Sequence, residues 1–235
     1  LGDTCTRACT YCAVTTGTPS GLDLGEPIRL ARTVVNLSLK YVVITSVNRD
    51  DLPDGGAFVF AQCIKQIRKS LPSCKIEVLT PDFEGNLDSL RVVMDAGPDT
   101  FNHNIETVRR VFPRVRAKGD FDISLEVLSR AKTLNGTAVT KSGMMVGLGE
   151  TMDEIVQTMV DLRKVDCDLL TIGQYLRPSQ KHAPISKWYT PNEFKELKEQ
   201  GESLGFKHVA SGPLVRSSYH ADEQHEAASL ITAIL

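Results

Sequence analysis

Short β-rich runs alternate with stretches of helical spacing along most of the 235 residues, and this alternation constrains the fold more than any other feature. The runs are 41–47 (YVVITSV), 75–80 (KIEVLT), 100–106 (TFNHNIE), 142–147 (SGMMVG) and 169–175 (LLTIGQY). Between them, Phe60, Ile64, Ile67 and Leu71 recur at i, i+4, i+7 and i+11. Leu87, Leu90 and Met94 recur at i, i+3 and i+7, and Ile155, Met159 and Leu162 at i, i+4 and i+7. Each set lays an apolar stripe along one helix face. Thr151 with Glu154 reads as a capping box, and Thr190-Pro191-Asn192-Glu193 supplies a cap, a first-turn proline and a capping glutamate. Gly97-Pro98 stops the helix that begins at Leu87. Residues 222–235, with Ala227, Ala228, Leu230, Ile231 and Ile234, read as a closing helix.

Strand and helix in regular alternation imply parallel strands with right-handed crossovers. Either a βα barrel or a doubly wound sheet satisfies the order. The pattern is taken to predict an α/β chain folded as a partial (β/α)6-type TIM barrel. It forms a single domain over 1–235, with the segment 206–235 closing the barrel. The first strand, expected just before Cys5, is truncated, because only four residues precede that cysteine.

Charge and composition exclude several classes. With 27 Lys+Arg against 29 Asp+Glu and 41% hydrophobic residues, the chain is too apolar and too balanced to be disordered. A net charge of −2 argues against a nucleic-acid partner. No apolar run reaches the ~18 residues that a membrane span needs, so no membrane partner is expected, and the protein is expected to be a monomer. The chain opens Leu1-Gly2-Asp3, with no initiator Met, basic n-region or apolar h-region, and so reads as a fragment or processed chain.

Three of the six cysteines crowd into eight residues: Cys5, Cys9 and Cys12, spaced C-x3-C-x2-C. Cys63, Cys74 and Cys167 are scattered. A disulfide framework belongs to short secreted chains, so metal or catalysis is the better meaning of the cluster. Three thiolates on one loop can hold three irons of a 4Fe–4S cube and leave the fourth iron open. A zinc-stabilised binding module remains an alternative, although structural zinc wants a closed set of four ligands; unliganded thiols are a third reading.

Other polar clusters sit at strand ends. Period two places His103 and Ile105 on one face, and Asn102, Asn104 and Glu106 on the other. The latter three suit hydrogen bonds to a ribose or an amino-acid head, or form an ordinary polar strand end. Gly147-Leu148-Gly149-Glu150 joins a strand to a helix, either as a ligand-approach loop or as a tight turn. Gln174 and Tyr175 end the last apolar run. Ser46 lies at the end of the first run, ahead of Asn48, Arg49, Asp50 and Asp51; the two aspartates offer too few oxygens for a Mg²⁺ or Ca²⁺ site. Lys141 precedes a strand, at the opposite end from a barrel's site. Ser217 and Ser218, between Arg216 and Tyr219, read on their own as caps of the closing helix.

The C-x3-C-x-aromatic-C string, with Tyr11 as the aromatic, resembles the signature of the radical S-adenosylmethionine (SAM) enzymes. Within that group, the strings LGDTCTRACTYC, YVVITSVNRDDLPDGGA, PDFEG, FNHNIETV, TKSGMMVGLGET, LTIGQYLRPS and SGPLVRSSYHAD are similar to those of the lipoyl synthases. The resemblance implies a radical SAM sulfurtransferase that inserts two sulfur atoms, at C6 and C8 of a protein-bound octanoyl-lysine. It implies a 4Fe–4S cluster on Cys5, Cys9 and Cys12, whose open iron takes SAM and whose electron cleaves it to a 5′-deoxyadenosyl radical. SAM contacts are expected from Tyr11, Ser46, Asn104, Glu106, Gly147, Gly149, Gln174 and Tyr175, with Lys141 and Arg216 as weaker candidates. A second, auxiliary 4Fe–4S cluster donates the sulfur in such enzymes. Its serine ligand would be Ser218, with Ser217 as the alternative. The three cysteines of that cluster lie upstream in the family and are missing from these 235 residues. The alternative expectation is therefore a catalytic-domain fragment that binds about four irons and cleaves SAM without inserting sulfur. Implied partners are an octanoylated lipoyl carrier domain or glycine-cleavage H-type protein, and an electron donor such as ferredoxin or flavodoxin. The implied location is the cytoplasm in a prokaryote, or the mitochondrial or plastid matrix in a eukaryote.

Overall fold

Helices pack on a parallel sheet whose strands lie side by side in chain order. The computed structural model describes residues 1–234, with side chains as far as Leu230. Ile231, Ile234 and Leu235 of the expected closing helix lie outside the described side chains. The elements are β1 (Thr4–Cys5), β2 (Thr15–Thr16), α1 (Glu26–Asn36), β3 (Tyr41–Thr45), α2 (Ala57–Ser70), β4 (Lys75–Leu79), a 3₁₀ turn (Phe83–Gly85), α3 (Leu87–Asp95) and β5 (Thr100–Asn102). They continue with α4 (Phe112–Val115), α5 (Phe121–Leu134), β6 (Val139–Val146), α6 (Met152–Lys164), β7 (Leu169–Gln174), α7 (Pro191–Ser203), β8 (His208–Gly212) and α8 (Ala221–Ile234). Strands β3 to β8 form one six-stranded parallel sheet. This is the partial barrel that the alternation predicts. β1 does not join it; β1 pairs only with β2 and brackets the cysteine loop.

Local signals act as expected where they are strong. Both capping boxes form, Thr151 with Glu154 and Thr190 with Glu193. Gly97 ends the α3 region with φ of 76°. Three elements carry no clear periodic signal. In α5 the buried face includes Ser124 and Ala131, which blur the apolar stripe. In α1 it is Pro27, Ala31 and Val34. β8 (HVASG) has only one β-branched residue, and packing against α7 makes it a strand. β6 starts at Val139 rather than at Ser142, so Lys141 lies inside the strand.

The apolar layer between sheet and helices is built from side chains such as Ile64, Ile67, Ile76, Val78, Leu90 and Phe101. Another set of buried residues is polar. Glu77 on β4, Asn102 on β5 and Lys141 on β6 are all fully buried. Lys141 Nζ lies 3.2 Å from Glu77 Oε1, Asn102 Nδ2 donates to the same oxygen at 2.7 Å, and the Tyr41 hydroxyl donates to Oε2 at 2.9 Å. Helix α8 packs against β3, β6 and β8, and His225 reaches Thr100 Oγ1 at 2.9 Å. Lys141 is thus a barrel-floor residue paired with Glu77, and the SAM contact expected of it is not supported by its position.

Candidate active site

The cysteine loop has little regular structure of its own, so its shape comes from what it is tied to. Thr6 N–H donates to the Asn48 carbonyl at 3.1 Å and Thr10 N–H to the Val115 carbonyl at 2.9 Å. Ala183 N–H donates to the Thr10 carbonyl at 2.8 Å, and His182 Nε2 lies 3.0 Å from the Cys12 carbonyl. The main anchor is Arg7, buried between two carboxylates. Its guanidinium forks onto Asp82 at 2.6 and 2.7 Å and onto Asp50 at 2.9 Å. Burial opposes the Arg7 charge, but its hydrogen bonds to Asp82 and Asp50 outweigh it and hold the guanidinium firmly protonated. Asp82 pays the same desolvation, and Arg7 still keeps it well below the usual carboxylate range. Asp51 is occupied by Arg49, at 2.8 Å. Both aspartates of the DD pair therefore serve arginines.

Above β3, β4 and β5 the loop encloses a cavity of about 440 Å³. Cys5, Cys9 and Cys12 line it, together with Tyr11, Ser46, Asn104 and Glu106. All three thiols are free. Arg7 N–H points at Cys5 Sγ (3.4 Å), Val14 N–H at Cys12 Sγ (3.5 Å) and Asn48 Nδ2 at Cys5 Sγ (3.8 Å). Cysteine binds metal as the thiolate. Burial raises the Cys9 thiol, partly offset by Tyr11 and Arg116. Among the described residues no three His, Cys, Asp or Glu side chains converge to hold a single metal ion. A 4Fe–4S cube needs one thiolate on each of three irons. The cavity wall also carries Asn48 Oδ1, Thr80 Oγ1 and His103 Nε2, each buried and without a hydrogen-bond partner. Buried polar atoms rarely stay unpaired, so this wall fits a polar ligand. The donor set and the wall together fit an iron–sulfur cluster with SAM beside it.

The strand end at 102–106 departs from simple alternation. β5 stops at Asn102, and Ser142 then fills the ladder gap: its hydroxyl donates to the His103 carbonyl at 2.9 Å and accepts from Ile105 N–H at 3.0 Å. Pairing resumes at Glu106, whose φ is +67°. This detour turns His103, Asn104 and Glu106 all toward the cavity, sends Ile105 into the apolar core and leaves Asn102 on the barrel floor. The expected grouping of Asn102 with Asn104 and Glu106 is corrected accordingly. Burial raises the Glu106 carboxyl, opposed by Arg116, Asn104 and Tyr11. Burial, with Arg116 adding to it, lowers His103 to about 4, so the ring is neutral near pH 7.

Four expected SAM contacts lie outside this cavity. Glu150 accepts Gly147 N–H at 2.6 Å and Leu148 N–H at 2.8 Å, so the turn's own carboxylate takes the amides that a ligand would need. Gly147, with φ of +108°, sits against the Gln174 amide and the Lys187 carbonyl, and Gly149 faces Ser186. Gln174 donates to the Val146 and Lys187 carbonyls, both at 3.1 Å, and accepts from Tyr189 N–H at 3.0 Å. The Tyr175 hydroxyl donates to the Ala183 carbonyl at 2.9 Å. The side chains of Gln174 and Tyr175 hold the loop 176–190 in place. Arg216 bonds the Val215 carbonyl at 2.6 Å. Ser218 is exposed, whereas Ser217 is half-buried and bonded to Asn104. Sequence reasoning missed Arg7, Thr80, Asp82 and Arg116. Arg7 was the detectable one, since an arginine inside a cysteine loop demands an anionic partner.

Comparisons with known proteins agree with this geometry. Residues 1–162 match the radical SAM superfamily. The chain is 59% identical over 228 residues to the lipoyl synthase of Rubrobacter xylanophilus, covering 97% of this chain and 71% of that one. It is 58% identical over 224 residues to the lipoyl synthase of Halalkalibacterium halodurans, covering 95% and 74%. Among solved structures, HydG, a maturase of the [FeFe]-hydrogenase, superposes with a TM-score of 0.68 at 16% identity, over 96% of this chain and 52% of that one. Coproporphyrinogen III oxidase (HemN) from Escherichia coli, a radical SAM enzyme, gives 0.59 at 14%, over 85% and 50%. The chain thus spans about half the length of either structure, and those likenesses speak for the fold alone. With the cysteine loop over the strand ends and relatives matched along nearly its whole length, the chain belongs to the lipoyl synthase family of the radical SAM superfamily.

Proposed function

We propose that this protein inserts sulfur at C6 and C8 of an octanoyl chain held on a lysine of a lipoyl carrier protein. The observation that carries this reading is the convergence of Cys5, Cys9 and Cys12 with Asn104 and Glu106 on one cavity at the C-terminal ends of the strands, where barrels place their chemistry. When bound on the three cysteines, the cluster supplies the electron that splits SAM and so generates a radical able to take hydrogen from an unactivated methylene. The protein's own groups bind, orient and shield. Asn104 and Glu106 would present hydrogen-bonding groups to the ribose or amino-acid head of SAM, and Ser46 would contact its methionine end. Tyr11 lines the same cavity and favours the charged form of Glu106. The unpartnered Asn48, Thr80 and His103 atoms find partners when the cavity fills. The loop 176–190, fastened by Gln174 and Tyr175, screens the cysteines from water on one side.

For the auxiliary cluster we infer Ser218 as the oxygen ligand. Its exposed position supports this, because Ser217 is already engaged with Asn104. The partners that follow are an octanoylated carrier protein and a low-potential electron donor. Anaerobic reconstitution tests the core of the proposal. Wild-type protein is expected to bind about four irons through these cysteines and to yield 5′-deoxyadenosine with reductant. Cys9→Ala is expected to abolish cleavage, since no spare ligand is near; cleavage at the wild-type rate would remove the assignment.

A further inference from the structure

Segment 213–219 enters the barrel mouth through a gap that two glycines leave open. A Cβ on Gly143 of β6 would lie 2.7 Å from both Asn104 Oδ1 and Thr171 Oγ1, and 3.1 Å from Ser217 Oγ. A Cβ on Gly173 of β7 would run into the Val215 carbonyl. Through this gap the half-buried Ser217 hydroxyl donates to Asn104 Oδ1 at 3.0 Å. That bond decides which way the amide faces. With Oδ1 taken by Ser217, the Nδ2 group is left to favour the charged form of the neighbouring Glu106 carboxyl. Glu106 is in turn pinned through its backbone, by its N–H to the Gly143 carbonyl at 3.0 Å and its carbonyl to Met145 N–H at 2.8 Å. A line of contacts therefore runs from the C-terminal segment into the cavity: Ser217 hydrogen-bonds Asn104, and Asn104 lines the cavity beside Glu106.

We propose that Ser217 is a positioning residue for the cofactor site. Its hydroxyl sets the Asn104 amide so that Glu106 is presented to the cavity, and it ties the docking of segment 213–219 to occupancy of that cavity. The proposal rests on the functional reading above. Binding linkage is reciprocal: if the docked segment raises SAM affinity, bound SAM must stabilise the docked segment by the same factor. The segment also carries Ser218, so its docking would place that serine relative to SAM. A structural role for Ser217 that ends at Asn104 would show no such response to cofactor.

Ser217→Thr and Ser217→Val have the same shape, and only threonine keeps the donor; Ser217→Ala adds no bulk at all. SAM dissociation constants on reconstituted protein are expected to rise roughly three- to ten-fold for Val and Ala, the loss of one neutral hydrogen bond, and to stay near the wild-type value for Thr. Amide exchange is the second readout. In the metal-free protein, residues 213–219 should exchange faster in Val and Ala than in Thr. In loaded protein, SAM should slow their exchange in wild type and Thr but not in Val or Ala. Equal affinities and equal exchange across all three variants, in a wild type that binds SAM, overturn this proposal alone. A wild type that loads iron yet binds no SAM overturns the functional reading, and the coupling to cofactor falls with it.

Discussion

Two buried charge clusters, one at the barrel mouth and one on its floor, use similar ions for different ends. At the mouth, Arg7 forks onto Asp50 and Asp82 and fastens a loop without regular structure to the ends of β3 and β4. On the floor, Lys141 faces Glu77 inside the sheet, with Asn102 and Tyr41 filling the remaining valences of the carboxylate. The floor pair is wholly buried, whereas Asp50 of the mouth cluster keeps 16% of its side chain exposed. A buried pair rarely gains net stability over apolar packing, but removing one partner strands the other at high cost. The floor cluster should thus matter for global stability and little for cluster assembly, and the mouth cluster the reverse.

The most direct way to break this contrast is Lys141→Ala. It leaves the buried Glu77 without its cation, and chemical denaturation should register a loss of about 3–5 kcal/mol. The few molecules that stay folded should still take up iron. Lys141→Met with Glu77→Gln should recover most of the loss, because no uncompensated charge remains.

Acid is expected to act next, through the mouth. His103 is lowered by folding from 6.5 to about 4, so the unfolded chain binds its proton more tightly. Its contribution is intact above pH 6.5 and drains away as pH falls toward 4. At about pH 4.5 the deficit should be roughly 2–3 kcal/mol. His103→Gln, compared with wild type at about pH 7.5 and 4.5, should show a shallower acid loss; parallel slopes would place the lability elsewhere.

Arg7→Ala sharpens the comparison from the other side. Water can reach Asp50, and Arg116 still lies 3.6 Å from the buried Asp82, so the global cost should be smaller than on the floor, about 2 kcal/mol. Iron uptake and amide exchange across residues 5–12 should change far more than stability does. Arg7→Lys keeps the charge but loses the fork and should rescue only in part. An exposed pair sets the baseline: Arg109 to Asp122, at 2.7 Å, has both side chains more than half exposed. Asp122→Asn should cost under about 1 kcal/mol and leave iron uptake alone.

Much of the barrel was legible because its signals are short-range. The stripes of α2, α3 and α6 and the capping boxes at Thr151 and Thr190 repeat within a few residues. Where signals were weak, as in α1, α5 and β8, the elements form because neighbours bury them. The site was legible in part. Cys5, Cys9, Cys12, Tyr11, Ser46, Asn104 and Glu106 do meet in one cavity. Gln174 and Tyr175 carry equally suggestive side chains, yet partners 8 to 15 positions further along the chain take them up.

The chain by itself determined the parallel βα order and the three-cysteine loop, since periodicity and spacing are properties of neighbouring residues. Only the tertiary structure decided three other points. Ser142 fills the ladder gap and so turns His103 and Glu106 to the same side. Glu150 claims the glycine turn. Of two adjacent serines, Ser217 enters the mouth while Ser218 stays outside. Each of these depends on which groups compete for a hydrogen bond once the strands are in register, and in the first and last cases the competing groups are 37 to 113 positions apart.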